Sequence, residues 1–178
     1  MSSRGAHPPV LGFIAPSGTG KTTLIAALIP LLRAKAVRVA CLKHTHHNFD
    51  IDYEGKDSYR FREAGATQVL VGSPKRWALV VERQQEDDPR IDNMIEHLFL
   101  DPVDLIIAEG FKRDRYPKIE VHREKLGTPL FCLDDDSIIA VATDNEKLVP
   151  HDNTTLLPLN QPSKIAEFIL EWMKNATN

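Results

Sequence analysis

The chain has 178 residues, 42% of them hydrophobic and 26% charged, a size and balance that suit one domain with one well-buried core. Its formal net charge of −3 gives none of the overall basicity expected where nucleic acid is a main ligand. The apolar run over residues 10–15 is too short for a signal-peptide core or a membrane span, so the sequence reads as a cytoplasmic protein with no membrane or nucleic-acid partner.

Residues 10–15 read as a buried strand. A helix follows from about Gly20, with Leu24, Ile25, Leu28, Leu31 and Leu32 at helical spacing. Pro30 falls inside that pattern and is expected to kink it or end its first part. Residues 37–42 form a second strand. The polar stretch 43–56, with three histidines and two aspartates, is too long for a plain connector and reads as a functional loop. Residues 57–64 are helical with Gly65 as a C-terminal cap. Residues 68–71 and 77–81 are strands around a turn at 72–75, and 82–88 is an acidic solvated loop.

Ile91, Met94, Ile95, Leu98 and Phe99 stripe a further helix, residues 103–108 form an apolar strand, and residues 138–142 another. Ile165, Phe168, Ile169, Trp172 and Met173 stripe a last helix, which Ser163 is placed to cap. Buried strands alternating with amphipathic helices predict an α/β domain, a mainly parallel sheet covered by helices on both faces, in a single unit over 1–178. Cys41 and Cys132 lie in apolar runs with no CxxC, which predicts two buried thiols and no zinc or redox centre.

The strongest motif is Ala15-Pro16-Ser17-Gly18-Thr19-Gly20-Lys21-Thr22-Thr23, between a buried strand and an apolar-striped helix. Its glycines let successive backbone N–H groups turn inward on phosphate oxygens; Lys21 reaches the β/γ-phosphates and the Thr22 hydroxyl binds Mg2+. The helix that follows directs its positive end at the same anion. Ser17 to Thr23 are therefore candidate nucleotide-binding residues, and Ala15 departs from the usual first glycine. Residues 103–108 then deliver Glu109 and Gly110 at a strand end, where a Walker B acid orients a metal-bound or attacking water. Glu109 is thus a candidate catalytic and metal residue, with Lys21 as its catalytic partner, while Asp104 reads as an edge or turn residue.

The stretch Lys43-His44-Thr45-His46-His47-Asn48-Phe49-Asp50-Ile51-Asp52 begins where the second strand ends, the ligand edge of an open α/β sheet. Lys43 and its histidines are candidate phosphate contacts, with Asp50 or Asp52 near Mg2+; a transition-metal site and a solvated loop are the other readings, the first weakened by near-adjacent histidine spacing. Thr143-Asp144-Asn145 ends a strand with a carboxylate that could accept the N1 and N2 hydrogens of guanine, although Asp-Asn after a strand is also an ordinary turn. Lys112, Arg113, Arg115, Lys118, Arg123 and Lys125 concentrate six positive charges after the Glu109 strand, either a solvated loop or a basic surface.

The phosphate loop, Lys43-His44-Thr45-His46-His47, Gly55-Lys56-Asp57-Ser58-Tyr59-Arg60, the block from Asp104 through Glu109-Gly110-Phe111-Lys112, and Pro117-Lys118-Ile119-Glu120-Val121 occur together in this order. This resembles the bacterial molybdopterin-guanine dinucleotide biosynthesis protein B (MobB) family over about residues 10–144. The resemblance implies a three-layer α/β/α P-loop NTPase fold and a homodimeric GTP-binding accessory protein with weak Mg2+-dependent GTPase activity. It further implies action with the molybdenum cofactor guanylyltransferase that joins GMP to molybdopterin. On that reading Lys43, His44 and Lys112 are candidate phosphate or pterin contacts, and the basic segment suits the anionic pterin phosphate or an acidic patch on the guanylyltransferase. Because fold does not dictate function, an ATP-dependent small-metabolite kinase or ligase remains the alternative, with Arg113 and Arg115 as lid arginines, and a nucleotide-switched interaction module is a third.

Overall fold

The computed structural model describes residues 7–45, 49–83, 87–150 and 153–176, and the chain divides into two compact units, Met1–His44 with Pro89–Asn178, and Thr45–Asp88. In the larger unit six parallel strands form one sheet: β1 (Val10–Ile14), β2 (Val39–Lys43), β5 (Leu105–Glu109), β6 (Lys118–His122), β7 (Ile138–Thr143) and β8 (Thr155–Pro158), in the spatial order β2-β5-β1-β6-β7-β8. Alternate residues of the central strands go to opposite faces. Leu11, Phe13, Leu105, Ile107, Ile119 and Val121 pack on one face with Leu24, Leu28 and Leu32 of α1 (Lys21–Arg33) and Ile165 and Ile169 of α4 (Pro162–Ala176). On the other face Val10, Ile106 and Ala108 meet Ile91 and Ile95 of α3 (Ile91–Ile95), and Ile14, Ile138 and Val141 surround Cys132. The three-layer α/β/α arrangement expected from the alternating pattern is present.

Several local expectations are corrected. Of the two expectations for Pro30 the ending is not met: α1 runs through it to Arg33, since a proline so near a helix end removes one hydrogen bond while the remaining turn still closes through Ala34 N to Pro30 O. The helix stops where Ala36 takes φ 61° and Val37 N reaches back to Leu32 O. Pro162 occupies the first position of α4, leaving Ser163 inside the helix and not its cap. α3 is a short helix, so Phe99 is exposed and does not continue its stripe. Cys132 is buried, but Cys41, on the edge strand β2, is exposed.

The smaller unit holds α2 (Asp57–Glu63) and an antiparallel pair, β3 (Gln68–Ser73) and β4 (Arg76–Val81). The strands extend further than expected, and the turn narrows to Pro74-Lys75, with Ser73 Oγ accepting from Arg76 N at 3.2 Å. Gly65 follows α2 with φ 98° and ends it as expected. Two strands were not foreseen: β6, whose Lys118, Glu120 and His122 alternate with apolar residues, and the edge strand β8.

Candidate functional site

All six strands of the sheet are parallel, so their C-terminal ends share one edge, where ligands of open α/β sheets bind. The phosphate loop leaves β1 there, between the ends of β5 and β6. Gly20 caps α1 with φ 99°, a conformation that costs an L side chain about 1–2 kcal/mol. Ala15, at the usual glycine position, is 2% exposed, and Ala36 is the single non-glycine residue with positive φ among the described residues, so the loop accommodates Ala15 without strain.

Thr19 is fully buried and its Oγ1 donates to Pro16 O at 2.8 Å, which pins the loop from within. Lys21 Nζ donates to Ala15 O at 3.1 Å and Pro16 O at 3.0 Å. Burial lowers its pKa, Glu109 opposes that shift, and the ammonium groups of Lys112 and Lys43 reinforce it. Three lysines thus concentrate positive potential at the loop, which suits a polyanion.

Glu109 ends β5 in register with Lys43 of β2 and Phe13 of β1. Its carboxylate accepts from Thr22 Oγ1 at 2.9 and 3.0 Å, and Lys43 Nζ lies 3.7 Å from Oε1. Lys21 and Thr22 of the phosphate loop, Lys43 of the histidine-bearing stretch and Glu109 of the acid-ended strand, read from three motifs, are thereby brought together. A threonine hydroxyl and a carboxylate are hard oxygen donors of the kind Mg2+ takes alongside substrate phosphates and water, so the donor set fits that ion. Gly110 has φ 98°, and a Cβ there would stand 3.1 Å from His44 O, so glycine lets β5 turn off beside His44. His44 N donates to Glu109 O at 2.8 Å and its ring lies against Phe111 with centroids 5.3 Å apart, so the backbone and ring of His44 serve packing.

Other candidates are held differently. In the smaller unit, Asp50 Oδ1 accepts from Arg62 Nη1 at 2.7 Å and Asp52 N at 2.9 Å, which lowers the Asp50 pKa, the Arg62 hydrogen bond most. Asp52 Oδ1 accepts from Tyr53 N and Ser58 Oγ. Both aspartates are therefore built into local turns. Among the described residues no group of three or more His, Cys, Asp and Glu side chains could hold a metal ion; His46 and His47 lie outside the described residues.

The basic segment is not one surface. Lys112, Arg113, Arg115 and Lys125 are exposed, but Lys118 is 1% exposed, with Nζ donating to Asp135 Oδ2 at 2.9 Å and Ser137 Oγ at 2.8 Å. Lys112 Nζ lies 4.9 Å over the Phe131 ring. Arg123 donates to Thr19 O at 3.0 Å and to Asp144 Oδ2 at 3.3 Å, while Asp144 Oδ1 accepts from Glu124 N at 3.0 Å. Arg123 is the site residue that a count of charges hid; its position one residue past an alternating segment was the available signal.

A sequence model of the molybdopterin guanine dinucleotide synthesis protein B family matches residues 10–144. A molybdopterin-guanine dinucleotide biosynthesis adapter protein of Escherichia coli is 42% identical over 168 residues, covering 93% of this chain and 94% of the relative. Its counterpart from Haemophilus influenzae is 40% identical over 93% of this chain and 89% of its own length. The crystal structure titled molybdopterin-guanine biosynthesis protein B superposes with a TM-score of 0.69 at 28% identity, covering 92% of this chain and 99% of that one. With the P-loop fold, the paired Thr22 and Glu109, and similarity across nearly the whole length, this chain belongs to the molybdopterin guanine dinucleotide synthesis protein B family.

Proposed function

We propose that the chain is a GTP-binding adapter of molybdenum cofactor biosynthesis that assists attachment of GMP to molybdopterin by the guanylyltransferase. The observation that carries this reading is the approach of Thr22 Oγ1 to the Glu109 carboxylate, 2.9 and 3.0 Å, beside Lys21. Lys21 would exchange its loop carbonyls for the β/γ-phosphates, which the N–H groups at the start of α1 would also receive. Thr22 and Glu109 would hold Mg2+, which when bound neutralises phosphate charge and acts as a Lewis acid. On this reading Glu109 would also orient an attacking water, which would give a weak GTPase, and Asp144 is the candidate acceptor for guanine. Lys112, exposed beside Phe131, and Lys43 are the cations available to an anionic pterin.

A homodimer is part of this reading. In the smaller unit Val69 is the only buried apolar side chain among the described residues, while Leu70 and Leu79 are paired across the hairpin and are 65% and 43% exposed. A two-stranded hairpin with so little core is marginal alone, and a second copy would cover its apolar side chains.

Calorimetric titration of the chain with GTP, ATP and molybdopterin tests the proposal. GTP should bind more tightly than ATP with Mg2+ present, and Lys21→Ala should lose at least about tenfold in affinity for loss of a charge-assisted phosphate contact. Equal affinities for the two nucleotides would favour the kinase or ligase alternative, and unchanged binding by Lys21→Ala would remove the phosphate loop from the site.

A further inference from the structure

Arg123 is the first residue after β6 and Asp144 the first after β7, and the two strands pair at His122 and Thr143. Their side chains therefore leave neighbouring strand ends, on the edge that carries the phosphate loop. The guanidinium joins both: Nε donates to Thr19 O at 3.0 Å and Nη1 to Asp144 Oδ2 at 3.3 Å. A Cβ on Gly20 would stand 3.8 Å from Nη2 and 3.9 Å from Nε, so the guanidinium lies directly against the loop that would hold phosphates. At the far end, Asp144 Oδ1 accepts from Glu124 N at 3.0 Å, and Asn145 Nδ2 donates to Glu124 Oε1 at 3.0 Å. The Glu124 N–H bond, aided by the Arg123 charge, holds the Asp144 carboxyl below the usual carboxylate range.

An acceptor on a strand-end loop discriminates between bases only when its distance from the phosphate anchor is fixed to a fraction of an ångström. A carboxylate held by one backbone N–H alone could still swing. Arginine removes that freedom because its planar fork meets two acceptors in a set geometry, which the compact ammonium of lysine does not reproduce. As a contributor to stability the pair is minor, since Arg123 and Asp144 side chains are 30% and 23% exposed.

We infer that Arg123 is a positioning residue of the nucleotide site, tying Asp144 to the phosphate loop so that preference for guanine over adenine depends on the guanidinium. The inference rests on the reading of Asp144 as the base acceptor.

The test measures Kd for GTP and for ATP, with Mg2+, on wild type, Arg123→Gln, Arg123→Lys, Asp144→Asn and the double variant Arg123→Gln/Asp144→Asn, with melting curves for each. Wild type should favour GTP by about tenfold or more, the scale of bidentate base contacts. Arg123→Gln should lose most of that ratio through weaker GTP binding, with ATP affinity within about threefold of wild type. Arg123→Lys should fail to restore it. The double variant should discriminate no worse than Asp144→Asn, because residues acting as one unit are not additive. Equal losses for GTP and ATP, or additive losses in the double variant, would reduce Arg123 to a phosphate charge and overturn the inference. So would an unchanged ratio with a lowered melting temperature, which would make the residue only structural. A wild type with no preference for GTP would overturn the base assignment itself, a result distinguishable because it appears before any substitution is made.

Discussion

Glu109 and Glu120 are two carboxylates in neighbouring parts of one sheet, and their partners separate their roles. Glu109 meets the Thr22 hydroxyl and Lys43 at the sheet edge, whereas Glu120 is 1% exposed and accepts from Phe131 N and Cys132 N, both at 2.9 Å. Glu109→Gln should keep GTP affinity within a few-fold and lower hydrolysis at least about tenfold, since an acid that orients water acts mainly on the transition state. Phosphate-release assays beside calorimetry would check this, and loss of fold by circular dichroism would instead make Glu109 structural. Glu120→Ala should destabilise by about 2–4 kcal/mol, because a buried N–H group (Cys132) and a partly buried one (Phe131) lose their acceptor, at about 1–3 kcal/mol for the first and less for the second. Urea unfolding measures it, and a loss under about 1 kcal/mol would mean that water replaces the carboxylate.

At the scale of elements, the starts of β2 and β5 are clamped by one ion pair. Arg38 Nε and Nη2 donate to Asp104 at 2.8 and 2.6 Å, Arg38 N donates to Asp104 Oδ2 at 2.8 Å, and Asp104 N donates back to Arg38 O at 2.8 Å. Hydrogen bonds from the Arg38 side chain, then its backbone, push the Asp104 pKa down to about 2. The folded value is below the unfolded one, near 3.9, so this stabilisation is complete above about pH 4 and is lost as pH falls through about 2. The stability difference between wild type and Asp104→Asn should therefore be small, as expected for an exposed pair, and should shrink toward zero between about pH 4 and pH 2. Denaturant melts across that range would show it; a difference independent of pH would deny the clamp. The sequence identified Asp104 as an edge residue, but nothing in it named Arg38, which lies 66 positions away.

For the whole molecule, the smaller unit carries the prediction. Leu70→Arg with Leu79→Arg alters exposed positions in β3 and β4 and, on the proposed homodimer reading, should give a monomer, with GTP affinity unchanged. Sedimentation velocity would read the mass against 20.0 kDa per chain, and a monomeric wild type would overturn the homodimer reading. No helix among the described residues is long and apolar enough to cross a membrane.

The phosphate loop, the acid at the end of an apolar strand and the stripes of α1 and α4 were legible in the sequence, because each depends on residues close together in the chain. Those short-range patterns determined the P-loop α/β class and selected Lys21, Thr22 and Glu109. The alternation of β6 was a strand signal, but its burial was not legible: Lys118, Glu120 and His122 look like solvent-facing residues until Asp135, Ser137, the N–H groups of Phe131 and Cys132, and Thr143 are packed against them. The same is true of Arg123, counted with surface charge until the parallel alignment of β1, β6 and β7 set it between Thr19 and Asp144. Tertiary structure alone decided these, since the burial of a polar side chain depends on acceptors and donors that strand order, not chain proximity, brings within hydrogen-bonding distance.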